Sequence, residues 1–248
     1  MSDGLRVTIW NEGVHEKTNP KVSAIYPKGL GHQLAQYMEK VRGIASVRVA
    51  ELDDPEHGLT DEVLETTDVM TWWGHTAHDR VDDAIVTKVQ ERVVQHGMGL
   101  IVLHSGHHAK VFKKLMGTTC DLKWREYKER GEKERLWVVD PSHPIVDGIP
   151  EKIELELAEM YGEHFDIPQP DQQVFISWFQ GGEVFRSGCC WQRGLGKIFY
   201  FRPGHETLPI YHNEVILKVI ANGIKWAAPA RVLGGIIRGN AEPLEKME

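Results

Sequence analysis

Four consecutive apolar residues at 100–103, Leu-Ile-Val-Leu, have no polar residue alternating between them. Such a run predicts a strand buried on both faces, and so a central place in a parallel sheet. Shorter or more mixed runs at 5–10, 47–52, 68–73 and 196–201 predict further strands. Between them the period becomes helical. Leu30, Leu34, Tyr37, Met38 and Val41 share one stripe, ending near Gly43; Ile85, Val89 and Val93 share another; Val111, Phe112, Leu115 and Met116 a third. Val215, Ile216, Val219, Ile220 and Ile224 close the pattern in a last helix over 213–226. Strands alternating with helices predict right-handed crossovers and a three-layer α/β/α sandwich around a mainly parallel sheet.

From residue 120 to about 195 the texture changes. Period-two stretches at 122–128 and 135–140 lie either side of Gly131 and predict a hairpin on one flank of the sheet. Ile153, Leu155 and Leu157 alternate with glutamates, and the runs 174–179 and 183–186 flank Gly181-Gly182, a strong hairpin signal. We read this as a β-rich excursion within one domain spanning residues 1–230, followed by an extension over 231–248. Val232, Leu233, Ile236 and Ile237 in that extension are expected either to form a homo-oligomer contact or to fold back on the domain.

Three strands of the first half, ending at Trp10, Trp73 and Leu103, run into loops rich in histidine and acid: Asn11-Glu12-Gly13-Val14-His15, Gly74-His75-Thr76-Ala77-His78 and His104-Ser105-Gly106-His107-His108. Parallel strands must release these loops at one edge, the carboxyl edge where open α/β sheets hold ligands. The chain has 248 residues, 13 of them histidine, and a formal charge of −7. That balance argues against a broad phosphate-binding surface, and nucleic acid is excluded as a partner. No apolar run is long enough for a membrane span, no signal peptide is visible, and three cysteines without a CxxC pair fit a reducing compartment. A cytoplasmic protein is expected.

Trp10-Asn-Glu with His15-Glu16, Trp72-Trp-Gly-His-Thr-Ala-His, Leu103-His-Ser-Gly-His, Met160-Tyr-Gly-Glu and Pro203-Gly-His-Glu-Thr together resemble the ThuA-like (trehalose utilisation) family, within the class I glutamine amidotransferase-like superfamily. The resemblance implies a flavodoxin-like fold and a role in using trehalose or related disaccharides. Amidotransferases of this kind place a cysteine nucleophile at a strand–helix elbow and pair it with a histidine and a glutamate from a late loop. Aligning Gly106 with the glycine of that elbow puts His104 where the cysteine would stand, with His205 and Glu206 as the late pair. A neutral imidazole cannot replace an acylating thiolate, so glutamine hydrolysis by that route is not expected. Ser105 as a substitute nucleophile lies one residue off the tip and lacks a Gly-x-Ser-x-Gly setting. None of Cys120, Cys189 and Cys190 follows a buried strand into a helix.

Imidazoles and carboxylates at one sheet edge suit a divalent cation, zinc among the candidates. The expected ligands are His75, His104 and His205. His104, His205, Glu206 and Glu163 are the expected catalytic groups, with a glutamate moving protons on a bound water or a sugar hydroxyl. Glu12, His15, His32, Trp73, His78, Ser105 and His107 are expected to line the binding site of a small-molecule carbohydrate, with His15 and His32 as reserve ligands. For His78, His107 and His108 the plainer reading is a helix cap or a solvated group. The chemistry expected is that of a hydrolase, lyase or isomerase on a carbohydrate or its keto derivative. The other reading is a carbohydrate-binding or regulatory protein that kept the fold without the nucleophile.

Overall fold

The structure, a computed structural model, describes residues 4–230 and 242–247; the apolar positions at 232, 233, 236 and 237 lie outside them. The chain runs β1 (Leu5–Asn11), α1 (Val14–Thr18), α2 (Pro20–Ile25), α3 (Leu30–Met38), β2 (Ile44–Glu51), α4 (Asp61–Glu65), β3 (Val69–Trp73), α5 (Asp83–His96), β4 (Gly99–Leu103) and α6 (Lys110–Met116). Then follow β5 (Lys123–Arg125), β6 (Glu132–Val138), β7 (Lys152–Ala158), β8 (Met160–Gly162), β9 (Gln172–Phe179), β10 (Val184–Arg193), β11 (Gly196–Phe201) and α7 (Glu214–Trp226). The helix boundaries have local causes. Thr60, Asp82 and Asn213 accept backbone N–H bonds at the starts of α4, α5 and α7, and Gly97 and Gly117 turn left-handed after α5 and α6. The third helix stops at Met38, short of the expected Gly43, which instead turns the chain into β2.

One nine-stranded sheet has the order β2-β1-β3-β4-β11-β10-β9-β6-β7. The strands from β2 through β11 are parallel; those from β10 to β7 are antiparallel additions, so the β-rich excursion builds the second half of the same sheet. The expected hairpin around Gly131 does not form. Residues 123–125 pair instead with 160–162 in a separate two-stranded ribbon, while β6 takes β7 and β9 as neighbours. The period-two pattern identified strands, but it carried no information on partners chosen by long-range packing.

Alternate side chains of the central strands feed two cores. Trp10, Met70, Trp72, Leu100 and Val102 pack with Val89, Val93 and Phe112 of α5 and α6, and Trp10 stacks on Trp72 at 4.0 Å. On the other face Ile9, Ile101, Leu103, Phe199 and Phe201 meet Leu34 and Met38 of α3 and Ile216, Val219 and Ile220 of α7. Burying each such side chain contributes roughly 1.5–3 kcal/mol before chain entropy is counted. Among the described residues no helix is long and apolar enough to cross a membrane.

Register then sets the rim. Asn11 pairs with Trp73, Trp73 with Leu103, and Leu103 with Phe201. Four parallel strands therefore end level, and the residues that follow, Glu12, Gly74, His104 and Arg202, emerge side by side.

Candidate functional site

His104 is the first residue beyond β4 and has φ +49°, the left-handed region that non-glycine residues seldom occupy. Holding it there costs on the order of 1–3 kcal/mol, which the packing around it must offset. Gly106 lets the turn of residues 104–108 close on β3, since a Cβ there would stand 3.0 Å from the Trp72 carbonyl. His104 is fully buried, and its Nδ1 donates to the Arg202 carbonyl at 2.9 Å. A carbonyl can only accept, so the neutral ring keeps its proton on Nδ1 and presents Nε2 as a bare lone pair. Facing that lone pair are the Glu159 carboxylate at 3.1 Å and the Tyr161 hydroxyl at 3.4 Å, with the Tyr161 ring stacked on the imidazole.

The loop after β3 is held by Glu12. This carboxylate, 1% exposed, accepts from the backbone N–H of His75 at 2.7 Å, Thr76 at 3.1 Å and Ala77 at 2.9 Å, and from the Thr76 hydroxyl. His75 is thereby set parallel to His104, their ring centres 6.4 Å apart, and 5.8 Å from the ring of His205. His15, from α1, meets His75 at 3.0 Å and lies 3.7 Å from Glu206. His205 takes Thr207 N–H on Nδ1, so its proton sits on Nε2, 3.8 Å from Glu159. Ligand atoms of His75, His104, His205 and Glu206 all fall within 4.8 Å of one another.

Burial dominates the electrostatics. It drives the pKa of His104 well below the ordinary imidazole value, that of His205 down to about 3, and that of His75 down as well, so all three are neutral rings near pH 7. It works in the opposite sense on the acids, raising Glu159 and pushing Glu206 up to about 7. Oε2 of Glu159 and Oε2 of Glu206 are buried without a hydrogen-bond partner. Neutral imidazoles facing carboxylate oxygens with too few protons between them form a set that a cation would satisfy.

Glu163 does not join this group. It is bonded to the Arg186 guanidinium at 2.9 Å and accepts the N–H of Phe165 and Arg186, so its oxygens are spent. Ser105 donates to the Gly74 carbonyl at 2.8 Å and is buried, holding two loops together. Trp73 is 1% exposed and donates to the Gly204 carbonyl, so it closes the core and offers no face to a ligand. His107 is buried with Nδ1 donating to the Cys120 carbonyl, and Glu12 acts through the His75 loop. His78, half-buried, packs edge-on against His108 rather than against the cluster. His32 stands exposed on the first turn of α3. The three thiols are buried, and burial raises their pKa values, that of Cys120 to about 11.

Glu159 and Tyr161 were not singled out by sequence reasoning. Glu159 lies between β7 and β8 and Tyr161 within β8; the signals available were the break in the glutamate alternation after Leu157 and, for Tyr161, its place in the Met160-Tyr-Gly-Glu stretch. Arg202 was missed too. It is fully buried against Glu134, and it donates to the Glu159 carbonyl while accepting from His104.

No curated protein matches this sequence. Solved structures do match. A ThuA-like protein from Parabacteroides merdae ATCC 43184 is similar over 93% of this chain and 93% of its own, with 15% identity and a TM-score of 0.64. One from Bacteroides uniformis ATCC 8492 is similar over 92% and 93%, with 13% identity and a TM-score of 0.63. A β-galactosidase from Bacillus circulans sp. alkalophilus shares the fold over 92% of this chain but only 32% of its own, at 9% identity and a TM-score of 0.54. At these identities the likeness is one of fold, here a mixed α/β sheet covered by helices. The family model for ThuA, described as trehalose utilisation, matches residues 6–227. The chain, matched by that model over nearly its whole length, belongs to the ThuA family.

Proposed function

We propose that this protein carries out metal-assisted acid/base chemistry on a carbohydrate or its keto derivative, as a hydrolase, lyase or isomerase. The observation that carries the reading is the bare Nε2 of His104 at 3.1 Å from the Glu159 carboxylate, in a buried set that includes His75, His205 and Glu206. A divalent ion such as zinc would be held by His104, His75 and Glu206, with His205 as a further nitrogen donor if its proton moves to Nδ1. Such an ion, when bound, lowers the pKa of a water or hydroxyl and polarises a carbonyl. His104 is ready for this role because the Arg202 carbonyl fixes its tautomer.

The remaining groups handle protons. Burial raises the pKa of Glu159 above the ordinary carboxylate value, which favours its holding a proton, and the Nε2 proton of His205 faces it at 3.8 Å. Tyr161 closes the far side of His104 and has one hydroxyl proton for two acceptors. Carboxylates at this rim pair with hydroxyl-rich, uncharged ligands, which agrees with the family's description as trehalose utilisation.

Elemental analysis of the protein purified without chelator, and after dialysis against zinc, tests the reading. The wild type is expected to hold a divalent ion and His104→Ala to lose it. Metal content unchanged in that variant, or a wild type that takes up none, overturns the proposal and favours a binding or regulatory role.

A further inference from the structure

The ribbon of β5 and β8 carries side chains that the chemistry above does not use. Residues directly opposite in an antiparallel pair share a face, and Trp124 is opposite Tyr161 while Arg125 is opposite Met160. Tyr161 lays its ring on His104 with centroids 5.0 Å apart and planes 11° apart, so the face that bears Trp124 is the one turned towards the imidazoles. Arg125, on the other face, is tied down by Glu132 and Glu183. Two residues on from Trp124, Glu126 follows on the same face. Burial lowers the pKa of His75 and raises that of Glu206; the charge of Glu126 reaches both groups and raises each.

The ribbon is also fastened to the elbow. Cys120, just before β5, accepts the His107 Nδ1 proton at 2.7 Å and donates to the Asp166 carbonyl. Trp124 is 66% exposed, whereas Trp10, Trp72, Trp73 and Trp191 are 1% exposed and belong to the core. An exposed indole on a fixed ribbon, with a carboxylate beside it, is complementary to a pyranose, which has one face of C–H groups and an edge of hydroxyls.

We propose that Trp124 and Glu126 form the sugar-recognition rim of the histidine cluster, Trp124 stacking on the C–H face of a neutral pyranose and Glu126 accepting from one of its hydroxyls. The proposal rests on the functional reading above for what lies at the reacting end. It adds a restriction on the ligand: Glu126, Glu159 and Glu206 together disfavour a phosphorylated or acidic sugar.

Full-length protein with ¹⁵N-labelled tryptophan, loaded with zinc or metal-free, is titrated with trehalose, methyl α-glucopyranoside and glucose 6-phosphate. The Trp124 indole signal, assigned by its absence in Trp124→Phe, is expected to shift with the two neutral sugars and not with the phosphate. Trp124→Ala is expected to weaken trehalose binding about tenfold, Trp124→Phe to keep most of it, and Glu126→Gln to weaken it while admitting glucose 6-phosphate. Metal content and unfolding midpoint are expected to stay at wild-type values in all three variants. No shift of the Trp124 signal with either neutral sugar, or wild-type trehalose affinity in Trp124→Ala, overturns the proposal, as does equal binding of the phosphate. Sugar binding at Trp124 in a protein that takes up no metal would remove the functional reading and leave this one standing.

Discussion

Replacing Glu12 with alanine removes one acceptor from four donors. Two of these, both on Thr76, lie at an exposed residue and can turn to water, but the N–H groups of His75 and Ala77 cannot do so freely. Leaving a buried donor unsatisfied costs about 1–3 kcal/mol, so with two of them the variant should lose about 2–6 kcal/mol of stability. For a domain of this size that lowers Tm by roughly 2–4 °C per kcal/mol, with the denaturant midpoint falling and the m-value unchanged. The pH dependence carries a sign. Burial works to raise the Glu12 pKa, but its backbone N–H bonds outweigh that and hold it below the ordinary carboxylate value of 4.5. Its contribution is therefore complete above about pH 4.5 and is lost as pH falls through the depressed folded value. Glu12→Gln should flatten that part of the stability curve. If the cluster holds zinc as proposed, the same carboxylate positions one of its ligands, His75, and Glu12→Ala should also weaken zinc retention about 10–100-fold. Urea titrations at several pH values with metal analysis check all of this. A variant that unfolds at the wild-type midpoint and holds zinc as tightly would refute the assignment of Glu12 as the anchor of the loop.

Other outcomes follow from the same geometry. Glu134→Gln leaves the buried Arg202 charge without its partner and should cost about 3–5 kcal/mol by chemical denaturation, disturbing both His104 and Glu159. Gly204→Ala drives a Cβ into the Tyr211 hydroxyl at φ +148°, so soluble yield and unfolding midpoint should fall sharply. Native protein treated with iodoacetamide should show no labelling of Cys120, Cys189 or Cys190 by mass spectrometry until denaturant is added. His104 and His205 have folded pKa values below the ordinary 6.5, so the unfolded chain takes up protons first. Their contribution should be complete above about pH 6.5 and decline as pH falls below it, an effect that His205→Gln should reduce.

Much of this site could be read along the chain because its position follows from strand ends. The unbroken run 100–103 located β4, and the residue after it had to emerge at the rim; the same logic placed His75 and Glu12. Groups whose position depends on pairing could not be read in this way. Glu159 reaches His104 through a ribbon formed with residues far off in sequence, and Glu163, part of a matched motif, is turned away by Arg186 from β10. Trp124 sits in a stretch whose period-two pattern suggested a hairpin with the wrong partner. Nothing local distinguishes an indole on a rim from one on an ordinary surface.

The bond from His104 to the Arg202 carbonyl joins the ends of two adjoining strands, β4 and β11. The direction of the Nε2 lone pair is thus geared to the stagger of the two strands at the centre of the sheet: sliding one past the other would swing the ring, and a half-turn of the imidazole would forfeit the bond. Aim at this site is inherited from the stiffest part of the molecule. Slow amide exchange at Leu103 and Phe201 and a narrow, single resonance for the His104 ring should therefore persist or fade together.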